Sequence, residues 1–219
     1  MPALPCDYES DPERWRSHDR STQAFGDVHE PVAERIVVER LAPVLDVGGG
    51  DGRLESLLPT DWPAVVLDLS PTMLADAPSP KVRADAAVLP VRDDGAGAVT
   101  ALWMLYHADD PVTVIAELAR VLRPGGLFVA STSSRTSDPE LTDGYPPTSF
   151  DAEEAPDIVA SVLGDVQVER WDAPMTYLAD RDAVIRYCRS HLLPPEAAER
   201  VEPPVWLTKR GCVVSAYKR

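Results

Sequence analysis

No apolar run in the 219-residue sequence approaches the roughly 20 residues needed to cross a bilayer, and the opening MPALPCDYES lacks the basic-then-apolar plan of a signal peptide. A soluble, cytoplasmic protein with no membrane partner is expected. Cysteine is equally scarce. Cys6, Cys188 and Cys212 are far apart and form no C-x-x-C pair, which argues against a disulfide framework or a zinc site and leads to the expectation of no metal. Basic residues are also outnumbered: 21 Lys and Arg stand against 36 Asp and Glu, giving a net charge of -15 and a pI near 4.6. Nucleic-acid affinity comes largely from Lys and Arg displacing counterions, so RNA or DNA is disfavoured as a partner. Arg14, Arg16 and Arg20 are the one notable basic cluster near the N-terminus.

What the chain does have is an alternating pattern. Short apolar runs at Val44 to Val47, Val65 to Leu67, around Val82, Val99 to Trp103 and Leu127 to Ala130 are separated by segments of helical spacing. Such alternation builds βαβ units and a parallel sheet. A helix is expected from Pro31 through Val32, Ile36, Val37 and Leu41, and another along Leu54, Leu57 and Leu58. A third carries Val112, Ile115, Leu118, Ala119 and Leu122 on one face and stops at Pro124-Gly125-Gly126. Ser131 to about Pro156, rich in Ser, Thr, Pro and Asp, reads as a long surface loop. Beyond it, Val166 to Trp171 and Gly211 to Tyr217 read as closing strands, with Val205-Trp206-Leu207 packed just before the last, and Asp180 to Leu193 reads as a helical cap. The expected fold is α/β: a Rossmann-like, doubly wound, seven-stranded mixed sheet with an antiparallel last strand and a helical cap. Residues 1–25 form an N-terminal arm or lid, 26–133 the ligand-binding core, and 134–219 the acceptor-side loop, cap helices and closing strands of the same domain.

The segment Asp46-Val47-Gly48-Gly49-Gly50-Asp51-Gly52 leaves the first apolar strand. In an open α/β sheet that turn lies where ligands bind, and glycines allow positive φ and close backbone approach. A dinucleotide loop would need G-x-G-x-x-G, but the sixth position is Arg53 counted from Gly48 and Glu55 counted from Gly50; no Gly-Lys-Ser/Thr follows to grip phosphates. The pattern D-x-G-x-G-x-G, followed by Asp68 twenty-two positions past Asp46, instead resembles the class I S-adenosylmethionine-dependent methyltransferases. Three further blocks agree in order: Asp68-Leu69-Ser70-Pro71-Thr72-Met73-Leu74, Ala84-Asp85-Ala86-Ala87-Val88-Leu89-Pro90, and Leu105 to Pro111 with Leu122 to Gly126. The resemblance runs from about Gly26 to Ser133.

By that resemblance the cofactor is S-adenosyl-L-methionine, with S-adenosyl-L-homocysteine as product, and its contacts are Asp46, Gly48, Gly49, Gly50, Asp68, Leu69, Met73, Asp85, Ala86 and Leu102. Asp68 would take the ribose hydroxyls. Leu69 and Met73 would pack on the adenine, Asp85 would meet its amino group, and Ala86 would meet the ring through its backbone amide. His107, just after the fourth strand, is the candidate catalytic base. The implied activity is methyl transfer to a small-molecule acceptor, with O- or N-methylation ahead of C-methylation. A tRNA or protein methyltransferase and a catalytically silent partner subunit are the alternatives, and a homodimer stays open. No Ser-His-Asp or Cys-His constellation stands out, as expected for a direct displacement that needs no enzyme nucleophile.

Overall fold

Val44–Val47 (β2) is buried at all four positions and Ala96–Leu102 (β5) at all seven, which marks strands covered on both faces. In the computed structural model, which describes residues 23–24 at the level of backbone and 26–219 in full, these two strands pair in parallel at the centre of the sheet. Gln23–Ala24 (β1), Ala64–Asp68 (β3), Lys81–Arg83 (β4), Leu122–Ser133 (β6), Gln167–Leu178 (β7) and Val205–Tyr217 (β8) complete the order β1-β7-β8-β6-β5-β2-β3-β4. Strands β2 to β6 are mutually parallel. β8 runs antiparallel to both β6 and β7, so the last strand is reversed as expected. The order reverses between β2 and β5, and ligands of such sheets bind beyond the strand ends at that point.

The sheet contains one strand more than the expected seven, because Gln23 and Ala24 pair with Tyr177 and Thr176 at the free edge of β7. Part of the supposed arm is therefore tied to the fold; residues 1–22 and 25 lie outside the described residues, and with them Cys6, Tyr8, Arg14, Trp15, Arg16, His18 and Arg20.

Among the helices, Pro111–Val121 (numbered α3 below) best illustrates local determinants. The Asp110 carboxylate accepts hydrogen bonds from the Val112 and Thr113 amides, Pro111 needs no donor in the first turn, and Val114, Ile115, Leu118 and Val121 are buried. The expected face was rotated slightly: Val112 is exposed, and Leu122 already belongs to β6. Helix α1 (His29–Val38) buries Val32, Ala33 and Ile36, and the one-turn α2 (Pro71–Leu74) is capped by the Ser70 hydroxyl.

The expected helix along Leu54, Leu57 and Leu58 shrinks to a 3₁₀ turn at Glu55–Leu57. Pro59 disfavours helical geometry at the residue before it, and Leu58 is extended at ψ 155. Leu54 and Leu58 are still buried, in the cluster with Val32, Ile36 and Val44.

The segment after β6 is not a surface loop. Ser137, Asp138, Leu141, Phe150 and Ala152 are buried, and Phe150 joins the main core. A helix the sequence reading did not anticipate, α4 (Ala155–Leu163), follows, with Ala155, Val159 and Leu163 on its buried face. Closing strands β7 and β8 are longer than expected. β7 runs through Pro174 past a register shift, and β8 absorbs Val205 to Leu207. On the tips of this long pair sits the cap: α5 (Arg181–Ser190), started by the Asp180 carboxylate on the Ala183 amide, packs Val184 and Tyr187 against Leu141, Leu178 and Leu207. No described helix is long and apolar enough to cross a membrane.

Candidate functional site

The turn leaving β2 is stitched to its neighbour by backbone bonds: the Gly48 and Gly49 amides both donate to the Leu67 carbonyl, at 2.7 and 3.3 Å. Gly48 (φ 69) and Gly50 (φ 56) lie in the left-handed region. A Cβ on Gly48 would sit 2.6 Å from the Met104 Cβ, so a side chain there is excluded by both conformation and space.

Asp68 closes the loop. Its Oδ2 accepts from the Gly50 amide at 3.0 Å and its Oδ1 from the Ser70 amide at 2.8 Å, so both oxygens are aimed by the backbone across the turn. Asp46 lies deeper, only 3% exposed, with its Oδ1 accepting from the Thr100 hydroxyl at 2.6 Å. Burial pushes the Asp46 carboxyl above the usual carboxylate range, against the opposing pull of the Thr100 hydrogen bond. Glu55 is pushed up to about 9, first by burial and then by the charge of Asp46. Asp85 shapes a tight turn in which its Oδ1 accepts from the Ala87 amide and its carbonyl from the Val88 amide.

At the exit of β5, Trp103 takes φ 58, unusual for a bulky residue, and its amide donates to both the Ser131 carbonyl and the Ser131 hydroxyl. The chain is thereby turned into the 3₁₀ segment Leu105–His107, where the His107 ring meets Tyr106 edge-on at 4.4 Å.

All eleven residues singled out from the sequence line one cavity of about 1110 Å³ that runs beyond the carboxyl ends of the strands. Single drug-sized ligands occupy roughly 300–1,000 Å³, so the cavity has room for a nucleoside and a second small molecule.

Several lining groups escaped the sequence reading. Asp27 bonds the His29 amide at 2.9 Å, His29 Nδ1 at 2.6 Å and the Arg53 guanidinium. Burial pushes its carboxyl up, but these bonds outweigh it and hold Asp27 below the ordinary aspartate value. At the opposite end, Asp138, fully buried, accepts from the Tyr145 hydroxyl at 2.7 Å, from Tyr187 at 3.0 Å and from the Lys209 ammonium at 2.9 Å; Lys209 also donates to Tyr187 Oη at 2.5 Å. Burial and the Asp138 charge push the Tyr187 hydroxyl well above its ordinary value, so it stays protonated at neutral pH. Trp171 projects from β7 to meet Trp103 edge-on at 5.9 Å, across Gly211, where a Cβ would lie 2.2 Å from the Trp171 ring. Trp171 and Gly211 are brought face to face by the pairing of β7 with β8, which no local pattern in the sequence announces.

Residues 45–130 match the family model described as a methyltransferase domain. A ubiquinone biosynthesis O-methyltransferase of Xanthomonas oryzae pv. oryzae is 38% identical over 106 residues, 43% of this chain and 44% of the relative. A malonyl-[acyl-carrier protein] O-methyltransferase of Marinomonas is 31% identical over 145 residues, 58% of this chain and 54% of the relative. The chain thus spans about half the length of these curated relatives. Among solved structures, an S-adenosylmethionine-dependent methyltransferase from Thermotoga maritima shares the fold over the full length of both chains, with a TM-score of 0.59 at 18% identity. Residues 45–130, which contain the glycine turn and β5, are thus similar to a methyltransferase domain, within a sheet shared with a solved methyltransferase structure.

Proposed function

We propose that this protein transfers the methyl group of S-adenosylmethionine to a hydroxyl or amine of a small molecule. The observation that carries this reading is the Asp68 carboxylate held by the Gly50 and Ser70 amides over a glycine turn that no side chain can fill. A carboxylate oxygen accepts more than one hydrogen bond, so Asp68 can take a ribose diol without releasing the loop. Leu69 and Met73 offer apolar surface for a flat base and Asp85 and Ala86 polar groups for its edge, while Asp46, Gly48 and Gly49 line the same cavity and Leu102 ends β5. When bound, the donor supplies a methyl group on a sulfonium centre, open to in-line attack.

The remaining work falls to the chain's own residues. Trp103, Tyr106 and Trp171 exclude water and orient the acceptor; positioning of this kind contributes up to about 7–11 kcal/mol. His107 accepts the proton of an acceptor hydroxyl, a step worth about 10²- to 10⁴-fold. Ala24 pairs with Thr176, which lines the cavity, and this supports the reading of the residues before β1 as a lid. Deleting them should raise the acceptor KM or lower kcat with little change in Tm; unchanged kinetics would reject the lid.

Titration calorimetry of the wild type and Asp68→Ala with S-adenosylmethionine, S-adenosylhomocysteine and NAD tests the core of the reading. Both sulfur nucleosides should bind the wild type, NAD should not, and Asp68→Ala should weaken binding on the order of 10²-fold, the scale of two lost hydrogen bonds to a charged group. Absence of binding to either sulfur nucleoside removes the assignment.

A further inference from the structure

The charges around the cavity are not a sample of the whole chain. Acidic residues outnumber Lys and Arg by 36 to 21 overall, but among the described residues the cavity wall carries nine aspartates, no glutamate, and only Arg53, Arg135 and Lys209 as Lys or Arg. Each of these three is already matched. Arg53 bonds Asp27 through Nε at 2.9 Å; Arg135 lies 3.5 Å from Asp151 and 2.5 Å from Glu154; Lys209 is shared between Asp138 and Tyr187. An anionic acceptor would find no cation in the described wall without stripping it from an existing carboxylate. A carboxylate so stripped, above all the buried Asp138, would be left as an uncompensated charge.

The same wall presents Trp103 and Trp171, whose ring faces attract positive charge. His29 is held by Asp27, and His107 and His191 are the other imidazoles on the described wall. A concave site lined mainly by one sign of charge focuses its field into the lumen.

We propose that this cleft selects for positive charge, so that its methyl acceptor enters as a neutral or cationic molecule, an amine or an uncharged hydroxyl compound, and not as a carboxylate or phosphate. The inference rests on the reading of the site as a donor-plus-acceptor cleft and adds the acceptor's charge class. It carries a second consequence for the donor: S-adenosylmethionine has a net positive charge and S-adenosylhomocysteine has none, so the field favours the substrate nucleoside over its product.

Two matched aromatic probes, benzylamine and benzoate, test the claim independently of the donor, through quenching of tryptophan fluorescence and calorimetry. Benzylamine should bind the wild-type cleft at least several-fold more tightly than benzoate. Its affinity should fall about 3- to 10-fold between about 20 mM and about 500 mM salt. In Asp109→Lys, which places a new cation on the exposed cavity rim beside His107, benzylamine should weaken by a similar factor while benzoate strengthens. Equal or tighter binding of benzoate to the wild type, or failure of benzylamine to bind, overturns the proposal, as does insensitivity to both salt and Asp109→Lys. In parallel, S-adenosylmethionine should show the salt dependence and S-adenosylhomocysteine less than about a twofold change. Should neither nucleoside bind while the probes behave as stated, the donor assignment fails and the charge selection stands.

Discussion

The half of the cleft proposed to hold the donor and the half proposed to hold the acceptor are built by different means. Around Gly48 to Asp68 the chain holds itself through backbone amides: Gly48 and Gly49 on the Leu67 carbonyl, Gly50 and Ser70 on Asp68. Beyond β6 the wall is held by side chains from distant segments, with Asp138 meeting Tyr145, Tyr187 and Lys209, and Glu140 accepting from the Thr208 amide at 3.0 Å and its hydroxyl at 2.6 Å. A backbone-stitched turn binds a constant ligand with few demands on neighbouring side chains. A side-chain knot can be rebuilt residue by residue, which suits the region proposed to receive the acceptor.

The contrast can be broken most forcefully at Asp138. Asp138→Ala leaves Lys209 without its carboxylate and two tyrosine hydroxyls without their acceptor, so unfolding free energy should drop by about 3–5 kcal/mol. Adding Lys209→Met to that variant should recover part of the loss; denaturant titration of both checks it. No recovery would mean that the knot acts through packing and not through charge.

A smaller effect is expected at Gly48, where alanine must adopt φ 69 and push against Met104. Gly48→Ala should cost about 1–2 kcal/mol in stability and weaken S-adenosylmethionine binding far more than its Tm suggests. Were the donor to bind unchanged, the turn would be a structural device only.

The smallest effect is a slope. The Glu55 carboxyl, at about 9 in the folded chain, lies above the ordinary glutamate value of 4.5, so the native state binds this proton more tightly than the unfolded state does. Its contribution to stability is present below about 4.5 and is lost as pH rises toward about 9. Glu55→Gln, which keeps the shape and removes the titration, should flatten the fall of Tm across that window. An unchanged slope would place the titrating group elsewhere.

Much of the donor half was legible because its signals are local. Asp110-Pro111 starts a helix, Gly48 and Gly50 force a turn, and the spacing to Asp68 follows from one βα unit. Errors arose where distant context overrode a local pattern. Leu54, Leu57 and Leu58 have helical spacing, yet Pro59 and the need to bury Leu54 and Leu58 beneath α1 leave only one tight turn. The stretch from Ser131 to about Pro156 reads as loop by composition, yet its first three residues end β6, Leu141 and Phe150 are drawn into two separate cores, and Ala155 begins a helix.

The amino-acid sequence alone determined the parallel centre of the sheet, the place and chemistry of the glycine turn and the acidic partner that faces it, because these depend on neighbours within one βα unit. Only the tertiary structure decided that Gln23 and Ala24 join the sheet, that Trp171 crosses Gly211 to reach Trp103, and that Asp138, Tyr187 and Lys209 share one buried knot. Those contacts link residues far apart in the chain through the lengths of β7 and β8, and no spacing along the sequence encodes a meeting that depends on how two strands register.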